Sequence, residues 1–263
     1  MTVTSDLIVN RHHLPFELDE GVAGRAAIGL IVLASDHTIE HEWREIFGKI
    51  DGVGVFHSRI WNEPEISTET LAAMEKELAG CTKVLRPGER IDVVGYACTS
   101  GAMVIGPANV AAKVHSIRPG VPVTNPMTAA TTALRVMGVE RVALLTPYVD
   151  DVNLWMRGHI EKEGLSVPVM GSFNHSNDNE VARITERSIE DSLVELADHA
   201  AVDGAFVACT SLRVAGIIER AEQRLGKPIT SSNHALAWHC LRLAGVDDEL
   251  TGLGRLFRTQ LTV

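Results

Sequence analysis

Short apolar runs alternate with longer amphipathic stretches along nearly the whole chain. Runs at 28–33, 53–59, 91–97, 121–124, 142–146, 167–172, 205–208 and 229–230 predict strands, most of them rich in Val, Ile, Leu and Ala. Between them, apolar positions at helical spacing predict helices over 38–47, 67–78, 102–116, 128–137, 153–162, 188–200, 214–225 and 235–243. Ser67 is the predicted N-cap of the second, although Ser67-Thr68-Glu69-Thr70 is an imperfect capping box. Strands that are apolar throughout, each followed by a helix, indicate an α/β fold of parallel sheets covered on both faces. Ligands in such folds bind beyond the carboxyl ends of the strands.

The chain also repeats itself. Ala97-Cys98-Thr99-Ser100 recurs as Ala208-Cys209-Thr210-Ser211, and both tetrapeptides end an apolar run. Gly120-Val121-Pro122-Val123-Thr124 matches Gly226-Lys227-Pro228-Ile229-Thr230 at nearly the same interval. So does Ala133-Leu134-Arg135-Val136-Met137-Gly138 with Cys240-Leu241-Arg242-Leu243-Ala244-Gly245. The strand at 28–33 has its counterpart at 141–146. A period above 100 residues is a domain duplication, because solenoid repeats run ~20–50 residues. The expected organisation is an extension over 1–24, a first α/β lobe over 25–125 and a second over 126–231. Residues 232–263 are expected to form a C-terminal helix packing back on the first lobe.

Composition narrows the function. Hydrophobic residues at 45% and charged residues at 22% describe an ordinary globular chain of 263 residues. The net charge of −10 argues against a general nucleic-acid binder, which needs a basic surface. No secretory leader is visible before Gly24, and the longest apolar run, 26–34, is far short of the ~20 residues a bilayer demands. A cytoplasmic protein with reduced cysteines is the expectation. The four cysteines lack zinc-ligand spacing, and Cys81 and Cys240 fall in helical patterns as core thiols. His37, His41, His234 and His239 read as solvated or structural. No phosphate-binding loop or dinucleotide fingerprint is present.

Cys98 and Cys209 are the candidates for chemistry. Each alone is more simply a small residue ending a core strand, but their equivalence within the duplication favours function. Two equivalent lobes facing each other would bring both thiols to one cleft. Each precedes a predicted helix, whose N-terminal dipole is expected to lower the thiol pKa. The neighbouring hydroxyls of Thr99, Ser100, Thr210 and Ser211, with exposed N–H groups, would hold a carboxylate. A thiolate and a thiol on opposite walls can move a proton from one face of a carbon to the other. One thiolate can also add to an activated double bond, permit rotation and be eliminated. Neither route needs a metal or an organic cofactor. A rival reading is a non-catalytic two-lobed ligand-binding protein.

Tyr96-Ala97-Cys98 with Gly106-Pro107, Ala208-Cys209-Thr210-Ser211, Leu145-Thr146-Pro147-Tyr148 and Gly29-Leu30-Ile31-Val32 together resemble the aspartate/glutamate racemase superfamily. Within it they are similar to the branch of maleate isomerases and arylmalonate decarboxylases. The resemblance spans roughly residues 25–245. It implies two flavodoxin-like lobes related by a pseudo-two-fold, with the active site between them and cofactor-independent chemistry. It also implies that Tyr148 contacts a substrate carboxylate. Decarboxylases of this branch carry only the second cysteine, so Cys98 counts against decarboxylation.

Two departures bear on the substrate. Where maleate isomerases carry a carboxylate-holding Asn, this chain has Asp36 in Ser35-Asp36-His37-Thr38. A second such Asn falls opposite Asp178 or Asn179. An acidic side chain beside a dicarboxylate costs ~1–4 kcal/mol at effective dielectric constants of 80 to 20, whereas an ammonium group is attracted. Asp36-His37-Thr38, the N-terminal extension and Ser232-Asn233-His234-Ala235-Leu236-Ala237-Trp238-His239-Cys240 most resemble racemase-like proteins of ectoine utilisation. The expected function is a racemase or epimerase of an amino-acid-like compound, with maleate cis-trans isomerisation as the alternative. The expected partner is a small carboxylate or amino-acid-like substrate, with no membrane, and a homo-oligomer is allowed.

Overall fold

The structure, a computed structural model, describes residues 9, 11–63, 65, 67–175 and 177–261. The parts of the expected N-terminal extension at 1–8 and 10 lie outside the described residues. Strands β1 (Ala26–Leu33), β2 (Val53–Ile60), β3 (Val93–Ala97) and β4 (Val123–Thr124) form one parallel sheet in the order β2-β1-β3-β4. Strands β5 (Arg141–Thr146), β6 (Ser166–Ser172), β7 (Gly204–Val207) and β8 (Ile229–Ser231) form a second in the order β6-β5-β7-β8. The two orders are identical once each strand is paired with the one four places later. The α/β class and the two-lobed duplication are therefore present in the architecture. β1 is buried at all eight positions and β7 at all four, as parallel strands covered on both faces require.

The helix Ser232–Leu243 packs on β1, β3 and β4 of the first sheet as well as on β8. The approach to β3 is close: a Cβ on Gly95 would lie 3.3 Å from Cys240 Sγ. Helix Pro126–Val136 lies against Ser232–Leu243 and β8, so the helices after β4 and β8 are packed between the lobes. This places the two strand ends that carry cysteines face to face.

Several boundaries differ from expectation. The single helix expected over 102–116 is two, Thr99–Ile105 and Pro107–His115. Gly106, at φ +85°, occupies the break, and Pro107 supplies the first residue of the next helix without needing an N–H partner. The helix after Ser67 is likewise divided at Met74 into Thr68–Ala73, a 3-10 turn and Leu78–Lys83. Its capping box is complete: Ser67 accepts from Thr70 N–H, and Thr70 Oγ1 accepts from Ser67 N–H. The C-terminal segment is helical only to Leu243, with a short 3-10 turn at Leu256–Arg258, so 232–263 is not one helix. Among the described residues no helix is long and apolar enough to cross a membrane.

Candidate active site

β3 delivers Cys98 to the N-cap of helix Thr99–Ile105, where its Sγ accepts a hydrogen bond from Gly101 N–H at 3.2 Å. Gly101 has no room for a side chain: a Cβ there would lie 2.6 Å from Tyr96 Oη and 2.8 Å from Cys98 Sγ. β7 delivers Cys209 to the equivalent strand end, but the local structure differs. No helix starts there; the chain turns through Thr210 and Ser211 and becomes helical only at Ala215. Cys209 adopts φ +107°, a conformation that costs an L-residue free energy and persists only where its surroundings impose it. Its Sγ accepts from Ser211 N–H at 3.4 Å, and its own N–H donates to Ser232 Oγ at 3.0 Å.

Both thiols line one small pocket of about 20 Å³. Thr99, Ser100, Tyr148, Asp178 and Thr210 share that lining, together with Glu63 and Glu65. Asp36, Asn179 and Ser211 stand outside it. Asp36 is buried, and its Oδ1 accepts from Thr38 N–H (2.7 Å) and Ile39 N–H (2.8 Å) at the start of helix Ile39–Phe47. Its Oδ2 is buried without a partner. Asn179 belongs to the short helix Asp178–Val181, capped by Asn177. Ser211 contributes its carbonyl oxygen to Thr38 Oγ1 at 2.8 Å.

The expected lowering of the thiol pKa is not what this geometry gives. Burial pushes Cys98 up to about 12, against the opposing bond from Gly101 N–H. Burial raises Cys209 as well, with the nearby Asp178 charge adding to it. A helix N-terminus is worth ~0.3–1 kcal/mol at ordinary exposure, and desolvating a thiolate outweighs that. Burial thus favours the protonated thiol at both positions at neutral pH.

Tyr96, Ser35, Asn62 and Ser232, to which the sequence assigned no role, complete the site around Tyr148 and Asp178. The chain has two tyrosines, and each faces one thiol. Tyr148 lies beside Cys209 and Tyr96 beside Cys98, with the Tyr96 hydroxyl donating to Met74 Sδ at 3.6 Å. Ser35 Oγ donates to Asp178 Oδ2 at 3.2 Å and accepts from Asn62 Nδ2 at 2.8 Å, tying the acid of the second lobe to the first. Burial raises Asp178 to about 6, the Ser35 bond opposing it. Ser232 joins the two cysteine loops, accepting from Cys209 N–H and from Thr99 Oγ1. Polar residues beside an N-cap were the only signal for Ser232, and Tyr96 reads simply as a core aromatic. Among the described residues no Lys or Arg lines the pocket, and no cluster of three or more His, Cys, Asp or Glu is placed to hold a metal.

Residues 28–257 match the arylmalonate decarboxylase family, Amdase. The chain belongs to that family. It is 35% identical to arylmalonate decarboxylase of Bordetella bronchiseptica over 169 residues, 63% of this chain and 70% of that protein. It is 27% identical to maleate isomerase of Nocardia farcinica over 249 residues, 91% of this chain and 98% of the relative. A cysteine-to-serine mutant of the Nocardia farcinica maleate cis-trans isomerase, solved with a covalently bound succinylcysteine intermediate, superposes with a TM-score of 0.81 at 26% identity. That match covers 89% of this chain and 98% of the solved one. The family assigned from the cysteine segments is thus shown; nothing in these matches singles out the ectoine-utilisation proteins.

Proposed function

We propose that the protein is a cofactor-independent isomerase in which Cys98 and Cys209 act on one small substrate from opposite walls. The observation that carries this reading is the placement of two equivalent strand-end thiols on the lining of one pocket. With both thiols protonated at rest, the first step is transfer of one thiol proton to a basic group, Asp178 or the substrate itself. The resulting thiolate abstracts a proton from the substrate carbon or adds to its double bond, and the other thiol returns a proton. Neutral donors for a substrate carboxylate are the hydroxyls of Ser100, Thr210 and Tyr148, that of Thr99 being given to Ser232.

The substrate class follows from charge. Glu63, Glu65 and Asp178 line the pocket, and Asp36 is buried behind the Asp178 corner. Such a wall attracts an ammonium group and repels a second carboxylate. We infer an amino-acid-like substrate and a racemase or epimerase activity, with compounds of ectoine and hydroxyectoine breakdown the first to screen. The second reading, maleate cis-trans isomerisation, is favoured by the nearly full-length similarity to maleate isomerases. Incubation in D2O with a panel of amino acids, ectoine derivatives and maleate separates them. Inversion with one deuterium gained at the Cα supports the first. Conversion of maleate to fumarate with no exchange of any amino acid supports the second.

A further inference from the structure

Next to the Cys209–Ala215 loop and outside the lining of the thiol pocket, Glu42 is buried on the first-lobe helix Ile39–Phe47. Its Oε1 accepts from Val214 N–H (2.5 Å) and Ala215 N–H (2.7 Å), both of the second lobe. Its Oε2 accepts from Asn233 Nδ2 at 2.7 Å, and the same amide nitrogen donates to Thr210 O at 2.8 Å. Trp43 Nε1 holds the Asn233 carbonyl at 3.1 Å. Thus both hydrogens of the Asn233 amide are used, while its Oδ1 has no partner. Three donors converge on one carboxylate, which satisfies them only as an acceptor.

We propose that Glu42 is a positioning residue for Cys209, its carboxylate latching the Cys209–Ala215 loop from the opposite lobe and, through Asn233, fixing the carbonyl of Thr210. Cys209 needs such a latch because its backbone sits at φ +107°, which the loop would relax if released. Protonation of Glu42 turns it into a donor. The Asn233 amide then turns its Oδ1 towards Glu42, sets an oxygen against Thr210 O and frees the loop. Burial raises Glu42 to about 7, so this change falls within the working range. The charged groups facing it are Asp36, His41, Glu45 and Lys49 from its own lobe and Arg213 and Glu186 from the other. Asp178 faces the thiols themselves.

The inference rests on reading Cys209 as a reacting thiol, but its test needs no substrate and so stands apart from the isomerase assignment. Full-length protein is labelled with iodoacetamide from pH 5.5 to 9, and Cys98 and Cys209 are quantified by peptide mass spectrometry. Both thiols titrate far above neutral, and the share of the ratio that follows Asp178, which raises both thiols and itself titrates at about 6, is measured in Asp178→Asn and divided out. In the wild type the Cys209-to-Cys98 ratio is expected to rise roughly threefold or more as pH falls through about 7. In Glu42→Gln it is expected to be high and independent of pH. A flat wild-type ratio overturns the proposal, and that measurement decides it if the variant does not fold. A Glu42→Gln profile that tracks the wild type, or equal acceleration of both thiols, overturns it as well.

Discussion

Thr99 Oγ1 donates to Ser232 Oγ at 2.8 Å, although 133 residues separate the two along the chain. The same oxygen accepts the N–H of Cys209, so one hydroxyl sets the spacing of the two thiol-bearing loops. Ser232 is wholly buried, and the helix it opens reaches back onto the first sheet. The pocket is therefore held by contacts between the lobes, and its geometry depends on groups that never meet a substrate.

Ser232→Ala removes one acceptor from two buried donors. Leaving them unpaired is expected to cost ~1–3 kcal/mol, read as a lowered denaturant midpoint. Turnover should fall further than stability alone explains, because Cys209 loses the partner of its strained backbone. A variant of unchanged stability and activity would show that the loops are spaced by other contacts.

Asp178 ties activity to pH. Its carboxyl is raised to about 6 by burial, so it is ionised above that value and neutral below. If it attracts an ammonium group, kcat/KM falls as pH drops through about 6, and Asp178→Asn removes that limb of the profile. The stability effect has the opposite sign. A carboxyl raised from 3.8 to about 6 stabilises the fold below the lower value and loses that contribution as pH rises to the upper one, about 3 kcal/mol by linkage. Asp178→Asn should therefore be more stable than the wild type at pH 7 while turning over an ammonium-bearing substrate more slowly. Equal pH profiles in both proteins would remove Asp178 from substrate binding.

Much of this was legible from the chain and some was not. The apolar strand runs and the recurring Ala-Cys-Thr-Ser show the duplication and the cysteine pair, because parallel strands buried on both faces have little choice of composition. The chain cannot show that the two tetrapeptides end differently: Cys98 caps a helix, whereas Cys209 sits at positive φ. Nor does it show desolvation, which depends on how tightly the lobes close and which reverses the expected shift of both thiols. Ser35, Glu42, Asn62 and Ser232 act across the lobes, so no local pattern marks them. Asp36 combines both readings, being a helix cap through Oδ1 with a second oxygen left bare.

Asp36→Asn separates those readings. An amide caps a helix as well as a carboxylate does, and burial already penalises the charge. Stability should be unchanged or slightly higher. If the bare oxygen matters to the substrate, activity on an amino-acid-type compound weakens and any activity on maleate improves. An unchanged preference between the two would leave Asp36 as a cap only, and the case for an ammonium-bearing substrate would then rest on the pocket-lining acids.

The joint use of Cys98 and Cys209 is tested most directly by steady-state turnover of Cys98→Ser and Cys209→Ser beside the wild type, on whichever compound the D2O screen identifies. Serine keeps the size and hydrogen bonding of each side chain, so both variants should fold with near-wild-type circular dichroism. Its hydroxyl is far less acidic than a thiol, so both should lose at least about a thousandfold in kcat, the scale of a missing acid–base or nucleophilic group. Near-wild-type turnover in either variant would contradict the two-cysteine account.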